Sequence, residues 1–235
     1  MKVTLLVPTM NELECVKKVM PLVNRKWVDQ ILILDGNSQD GTVEWCKEQD
    51  YEVYVQKEPG MWNAYREVYN SGLIRGTVVI TFSPDGNSLP EAIPELMTMM
   101  GEGYDMVIGS RYYNGMKSPD DTKLTHLGNR LFTWMCSWRG NFRYTDALVM
   151  LRAYNVKSCV WNLGFLDEPN WLQKKLIGMS NLYGWESSMS IRAARKRLKV
   201  AEIYELEPKA YRERRQNTLV HGFVIGTQIL HELLR

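Results

Sequence analysis

The sequence predicts one α/β domain of 235 residues with a mainly parallel central sheet flanked by helices. Three observations predict it. Up to Ile108, short apolar runs rich in β-branched residues alternate with helical patterns across short links. Two of those runs end in the same tetrapeptide, Asp-Gly-Asn-Ser, at Asp35–Ser38 and Asp85–Ser88. Apolar residues make up 45% of the chain, enough for a substantial core.

The elements follow in order. Lys2–Val7 reads as a buried strand ended by Pro8, with Thr9 or Asn11 capping a helix that runs to about Asn24. Val28–Leu34 is the second strand, Thr42–Gln49 a helix and Glu52–Gln56 the third strand. Met61–Leu73 is helical, with Trp62, Tyr65, Val68 and Tyr69 at apolar spacing. Thr77–Phe82 is the fourth strand, Leu89–Gly101 a helix and Met106–Ile108 the fifth strand. Short strand–helix links imply right-handed crossovers. After Arg111 the alternation breaks down. Tyr112–Asp121 reads as a mobile polar loop, and Leu124–Trp138, Asn170–Ile177 and Ser187–Leu198 as helices. Lys199–Tyr204 fits a strand. The final helix, Thr218–Arg235, carries Val220, Phe223, Val224, Leu230 and Leu234 at helical spacing, a stripe expected to pack on the core.

Composition bounds the function. A net charge of +2 argues against generic nucleic-acid binding. Charge gathers between Arg192 and Arg215, where nine Lys or Arg stand against four Glu. That cluster reads either as a solvated helix face or as a surface for phosphates or anionic head groups. Cys15, Cys46, Cys136 and Cys159 form no CxxC pair and read as core residues of a reducing compartment. No stretch has the length of a membrane span, so the expectation is a cytoplasmic protein, with peripheral contact at the cytoplasmic face of a membrane as an option. No GxGxxG follows the first strand and no GxxxxGK[ST] occurs, which disfavours dehydrogenases and P-loop enzymes.

A carboxylate just past a buried strand is placed where open α/β sheets bind ligands, so two of them point to a nucleotide and a metal. Further motifs extend the pattern. They are Val7-Pro8-Thr9-Met10-Asn11-Glu12, Asp35-Gly36-Asn37-Ser38-Gln39-Asp40-Gly41-Thr42, Glu58-Pro59-Gly60 with Asn63-Ala64, and Ser83-Pro84-Asp85-Gly86-Asn87. Gly109-Ser110-Arg111-Tyr112 and Gly184-Trp185-Glu186 complete the series. Together they resemble family 2 inverting glycosyltransferases, which have the Rossmann-like GT-A fold, and in particular the polyprenyl-phosphate (dolichol-phosphate) mannosyl- and glucosyltransferase branch.

The resemblance implies a nucleotide-sugar half, residues 1–111, and an acceptor half, 112–235, in one domain. It implies a UDP- or GDP-linked sugar donor, Mg²⁺ or Mn²⁺, and a lipid phosphate or a glycan hydroxyl as acceptor. Pro8, Thr9, Asn11, Glu12, Asp35, Asn37, Lys57, Gly60, Asn63 and Pro84 would bind the nucleotide. Asp85 and Asn87 would hold the metal, although Ser83 replaces the first Asp of the family's DxD motif. Arg111 is suited to a phosphate, with Arg130, Asp146 and Arg212 as further acceptor residues. Glu186 is the candidate base, since a hydroxyl acceptor must lose a proton whereas a phosphate is already ionised. Asp40 reads as a turn or helix cap for Gly41-Thr42. Two other classes stand beside this one: a non-catalytic nucleotide-sugar-binding module, and a nucleotidyltransferase, which would need a basic Gly-rich loop after the first strand.

Overall fold

Among the described residues seven strands form one sheet in the order β3-β2-β1-β4-β6-β5-β7. They are β1 (Val3–Thr9), β2 (Gln30–Asp35), β3 (Glu52–Val55), β4 (Val78–Thr81), β5 (Met106–Ser110), β6 (Arg152–Asn155) and β7 (Val200–Tyr204). The helices are α1 (Leu13–Val19), α2 (Thr42–Glu48), α3 (Met61–Asn70), α4 (Ala92–Gly101), α5 (Lys123–Ser137), α6 (Trp171–Met179), α7 (Trp185–Arg195) and α8 (Thr218–Leu234). This computed structural model describes residues 1–116, 122–138, 140–167, 170–179, 184–206, 208–211 and 218–234. Arg212 and residues 117–121 of the expected 112–121 loop lie outside the described residues.

The parallel sheet predicted for the first half is present. β1 is buried along its whole length and pairs in parallel with β2 and β4. Pro8 does not end the strand. The Leu6 carbonyl accepts from Phe82 on the β4 side, and Pro8 shares its parity. The β1–β4 ladder has already ended at Leu6↔Thr81, so the missing proline N–H leaves no partner unbonded. The first helix is shorter than expected: α1 stops at Val19, and Met20–Leu22 continues as a 3₁₀ turn with Pro21.

One strand was not foreseen. β6 is only four residues long, Arg-Ala-Tyr-Asn, and runs antiparallel between β4 and β5. Strand and helix patterns read from sequence have little purchase on so short and polar a segment. The sheet thereby takes β6 and β7 from the second half of the chain, so both halves share one core.

α7 and α8 meet across a polar seam. Arg192 forks onto Glu232, Nε to Oε2 at 2.9 Å and Nη2 to Oε1 at 2.5 Å, with both side chains nearly buried. Arg195 donates to the Glu232 and Leu233 carbonyls at 2.7 Å each, satisfying the end of α8. Two members of the basic cluster therefore spend their guanidinium groups on fastening α8 to α7. The expected packing of the α8 stripe is also corrected. Val224 is buried, but Val220, Phe223, Leu230 and Leu234 are exposed, because the buried side is the one carrying Gln228 and Glu232. Replacing Arg192 with Leu strands a buried carboxylate, so urea unfolding is expected to lose about 3–5 kcal/mol. Adding Glu232→Gln should recover part of it; a single variant as stable as the wild type would refute the clamp.

Candidate functional site

The loops after β1 to β4, which carry the predicted nucleotide and metal residues, lie along the carboxyl-terminal edge of the sheet. Loops after β1 and β2 are tied together first. The Asn11 amide donates to Ser38 Oγ at 2.7 Å, and the Gln39 amide donates to Asn11 Oδ1 at 2.7 Å. Gly36 N–H donates to the Thr9 carbonyl at 2.8 Å. Thr9 Oγ1 donates to Glu12 Oε2 at 3.0 Å, and the Glu12 amide to Thr42 Oγ1 at 3.2 Å, both out of solvent. Asn11 and Asn37 hold left-handed backbone (φ 50 and 66°), which Asn tolerates better than other side chains.

Asp40 is a cap, and for two helices. Its carboxylate accepts from the Thr42 amide and hydroxyl at the start of α2 and from the Leu13 amide at the start of α1. Burial opposes its ionisation, but bonds from the Thr42 hydroxyl and the Leu13 and Thr42 amides outweigh it and hold its pKa below the ordinary value. Neither Thr9 nor Asn11 supplies the cap of α1.

The two Asp-Gly-Asn-Ser copies fold differently. In the first, the buried Asp35 carboxylate accepts from its own turn, Ser38 N–H at 2.8 Å and Ser38 Oγ at 2.6 Å. In the second, Gly86 takes the left-handed position (φ 89°), and Asp85 Oδ1 accepts only the Asn87 amide at 3.2 Å. Asp85 is half-buried, and its Oδ2 has no partner among the described residues. The segment after β7 crosses this loop: the Tyr211 amide donates to the Asp85 carbonyl at 2.8 Å. The Tyr211 ring lies so close to Gly86 that a Cβ there would come within 2.3 Å of it. Pro84 beneath is buried.

The loop after β3 carries Lys57, Gly60 and Asn63. Gly60 (φ 103°) precedes α3, and Asn63 Nδ2 bonds back to the Pro59 carbonyl at 2.8 Å. Glu67, which sequence reading passed over, holds the loop from α3 by accepting the Lys57 and Glu58 amides at 2.7 and 2.8 Å. Nothing local in the sequence marks it.

On the other flank, Arg111 grips the fully buried Asp146, Nε to Oδ2 at 2.5 Å and Nη2 to Oδ1 at 3.0 Å. Its fork is turned onto a carboxylate of its own chain. Glu202 on β7 accepts the Thr145 and Asp146 amides and so fixes the same turn. Arg130 stands exposed on α5, and Arg212 lies outside the described residues.

Glu186 opens α7. Gly184 just before it is held at both backbone groups by Gln228, whose Oε1 accepts its N–H at 2.8 Å and whose Nε2 donates to its carbonyl at 2.5 Å. Trp185 packs against Trp62, Tyr65 and Phe165, with ring centroids 4.5–5.1 Å apart, which seats the start of α7 on α3. Glu186 Oε1 is buried, with no hydrogen-bond partner among the described residues. Burial raises the Glu186 pKa, and the nearby Arg152 guanidinium only partly offsets this. Arg152 links this corner to the edge that carries Asp85: it pairs with Thr81 across the sheet, and its Nη1 donates to the Glu186 carbonyl at 3.0 Å. Among the described residues no group of three His, Cys, Asp or Glu could cage a metal. The donor set at Asp85 and Asn87 therefore fits a hard cation that arrives with its own phosphate oxygens, not one held by protein alone.

A raised carboxylate pKa costs folding stability as pH climbs from the ordinary glutamate range through the raised value, because the folded state keeps a proton that the unfolded state has released. Glu186→Gln is thus expected to unfold at a higher temperature than the wild type at pH 8, with the gain vanishing on acidification below the ordinary range. A gain that persists unchanged at low pH would point to packing instead.

The sequence profile of glycosyl transferase family 2 matches residues 4–162. Glycosyltransferase AglJ of Haloferax volcanii is 27% identical over 201 residues, which are 86% of this chain and 61% of AglJ. The dolichyl-phosphate hexose transferase of the same organism is 25% identical over 223 residues, 94% of this chain and 87% of that protein. Glucosyl-3-phosphoglycerate synthase of Mycobacterium tuberculosis, solved with Mn²⁺, UDP and phosphoglyceric acid, superposes with a TM-score of 0.62 at 20% identity, over 99% of this chain and 77% of that one. The sheet order, the loops at its carboxyl-terminal edge and the profile match agree: the chain has the GT-A fold and belongs to glycosyl transferase family 2.

Proposed function

We propose that this chain transfers a sugar, with inversion, from a UDP- or GDP-linked donor to a polyprenyl or dolichyl phosphate, assisted by Mg²⁺ or Mn²⁺. The observation that carries the proposal is the contrast between the two Asp-Gly-Asn-Ser loops. Asp35 spends its carboxylate on its own turn, while Asp85 keeps Oδ2 without a partner among the described residues at the ligand-binding edge. The relative that acts as a dolichyl-phosphate hexose transferase supports the lipid phosphate, and the neighbour solved with UDP and Mn²⁺ supports the donor and the metal.

In this reading the loops of Pro8, Thr9, Asn11, Glu12, Asp35 and Asn37 receive the base and ribose. Lys57, Gly60, Asn63 and Pro84 line the way to the diphosphate. Asp85, with Asn87, would hold the metal, which neutralises the diphosphate as it departs. Transfer is one displacement. An acceptor oxygen forms a bond to the anomeric carbon while the bond to the diphosphate oxygen breaks on the opposite face, and that electron pair leaves with the nucleotide. Arg111 and Asp146, locked together, shape the acceptor side, with Arg130 exposed beside it and Arg212 further along the chain.

Glu186 favours a second reading. Its raised pKa and an Oε1 without a partner among the described residues suit it to take a proton from an acceptor hydroxyl, as a glycan acceptor would require. A phosphate acceptor needs no such base, and Glu186 then only orients it.

Two measurements test these readings. Asp85→Ala is expected to lower transfer of labelled sugar by about a hundredfold or more with the circular dichroism spectrum unchanged, the scale of losing one charge-stabilising group; full activity would remove Asp85 from the chemistry. Glu186→Gln should cost less than about tenfold with a polyprenyl phosphate but about 10²–10⁴-fold with a saccharide hydroxyl. Transfer confined to the saccharide would overturn the lipid-phosphate assignment.

A further inference from the structure

α5 exposes a run of large apolar side chains. Leu124, Leu127, Leu131 and Trp134 recur at three- and four-residue steps and are 57, 65, 51 and 56% exposed. At about 1.5 Å per residue, the run from Leu124 to Trp134 covers about 15 Å of helix. α8 does the same with Phe223 and Leu230, at 63 and 53%. The helices touch where Gly226 meets the Phe132 ring, 3.3 Å from where a Cβ would stand. On each helix that contact lies, by the 100° step per residue, between the buried face and the exposed stripe. The two stripes therefore open on the same side, away from the core. Apolar patches this continuous mark an interaction surface.

Charge and aromatic content identify the partner. The α5 segment contains no Asp or Glu, and its exposed charges are Lys123 and Arg130. The one acidic residue of α8, Glu232, is turned inward onto Arg192. Trp134 on α5, Trp138 just past its end and Trp171 at the start of α6 expose their indoles, the side chain best suited to the boundary between hydrocarbon and head groups. A second copy of this chain would set like basic charges against each other; anionic head groups would neutralise them. We propose that the outward faces of α5 and α8 dock together on an anionic lipid bilayer, lying in its interface and not crossing it. Among the described residues no helix is long and apolar enough to cross. The stripe starts beside the site, since Asn129 of α5 donates to Tyr112 Oη one residue past Arg111. A docked molecule thus presents that edge to the head-group layer.

The test is flotation of the purified chain with phosphatidylglycerol–phosphatidylcholine vesicles and with pure phosphatidylcholine vesicles, neither containing polyprenyl phosphate. Binding is therefore read independently of the acceptor and of activity. The wild type is expected to float with the anionic vesicles and much less with the neutral ones. Leu127→Glu combined with Phe223→Glu should weaken partitioning at least tenfold, whereas Leu22→Glu, an exposed leucine of the first half, should leave it unchanged. Wild type that stays unbound, or a double variant that floats as well as wild type, overturns the proposal. So does a wild-type dimer in sedimentation that the double variant converts to monomer, which would assign the face to a second copy.

Discussion

The second half of the molecule is organised around one buried cation. Arg152 is fully out of solvent, yet no carboxylate lies within ion-pair distance of it among the described residues. Burying a guanidinium unpaired is costly unless its donors are all met. They are met by neutral oxygens: the Val149 carbonyl twice, at 3.2 and 2.6 Å, then the Ala147 and Glu186 carbonyls and Ser190 Oγ. That requirement fixes three things together: the turn before β6, the antiparallel strand itself and the first turn of α7. The same charge sits near Glu186 and tempers the effect of burial on its carboxyl.

α8 braces the candidate site through this corner. Its Gln228 brackets Gly184 and also reaches Ser187 and Ser188, while Glu232 takes Arg192. A helix so apolar around most of its circumference could bury either side. Buried polar groups decide, because each must be matched where it lands, whereas a leucine left in water costs only its transfer energy. The polar seam therefore turns Gln228 and Glu232 inward and leaves Phe223 and Leu230 outward. One choice of face thereby positions Glu186 and creates the exposed apolar surface.

The paired tetrapeptides show how identical sequence acquires different roles. At Asp35 the loop is stapled to β1 through Ser38 and Asn11, and the carboxylate is consumed by its own turn. At Asp85 the turn is made at Gly86, with Tyr211 lying over it from the far end of the chain. The difference rests on what each loop packs against, which no window of four residues records. The same holds for Arg111. Its residue type suits a phosphate, and only the arrival of Asp146, 35 positions later, shows where its fork goes.

The sequence by itself determined the parallel half of the sheet, the helices between its strands and the edge that carries the candidate site, because periodicity and turn chemistry are local and repeat at every strand end. It also marked the candidate site residues by type and spacing, and Asp40 as a cap. Tertiary structure decided the antiparallel β6, the bracing of the Lys57 loop by Glu67, the partner of Arg111 and the outward face of α8. Those depend on satisfying buried charge and hydrogen-bonding groups between segments far apart in the chain, and such pairings are written in no single stretch of it.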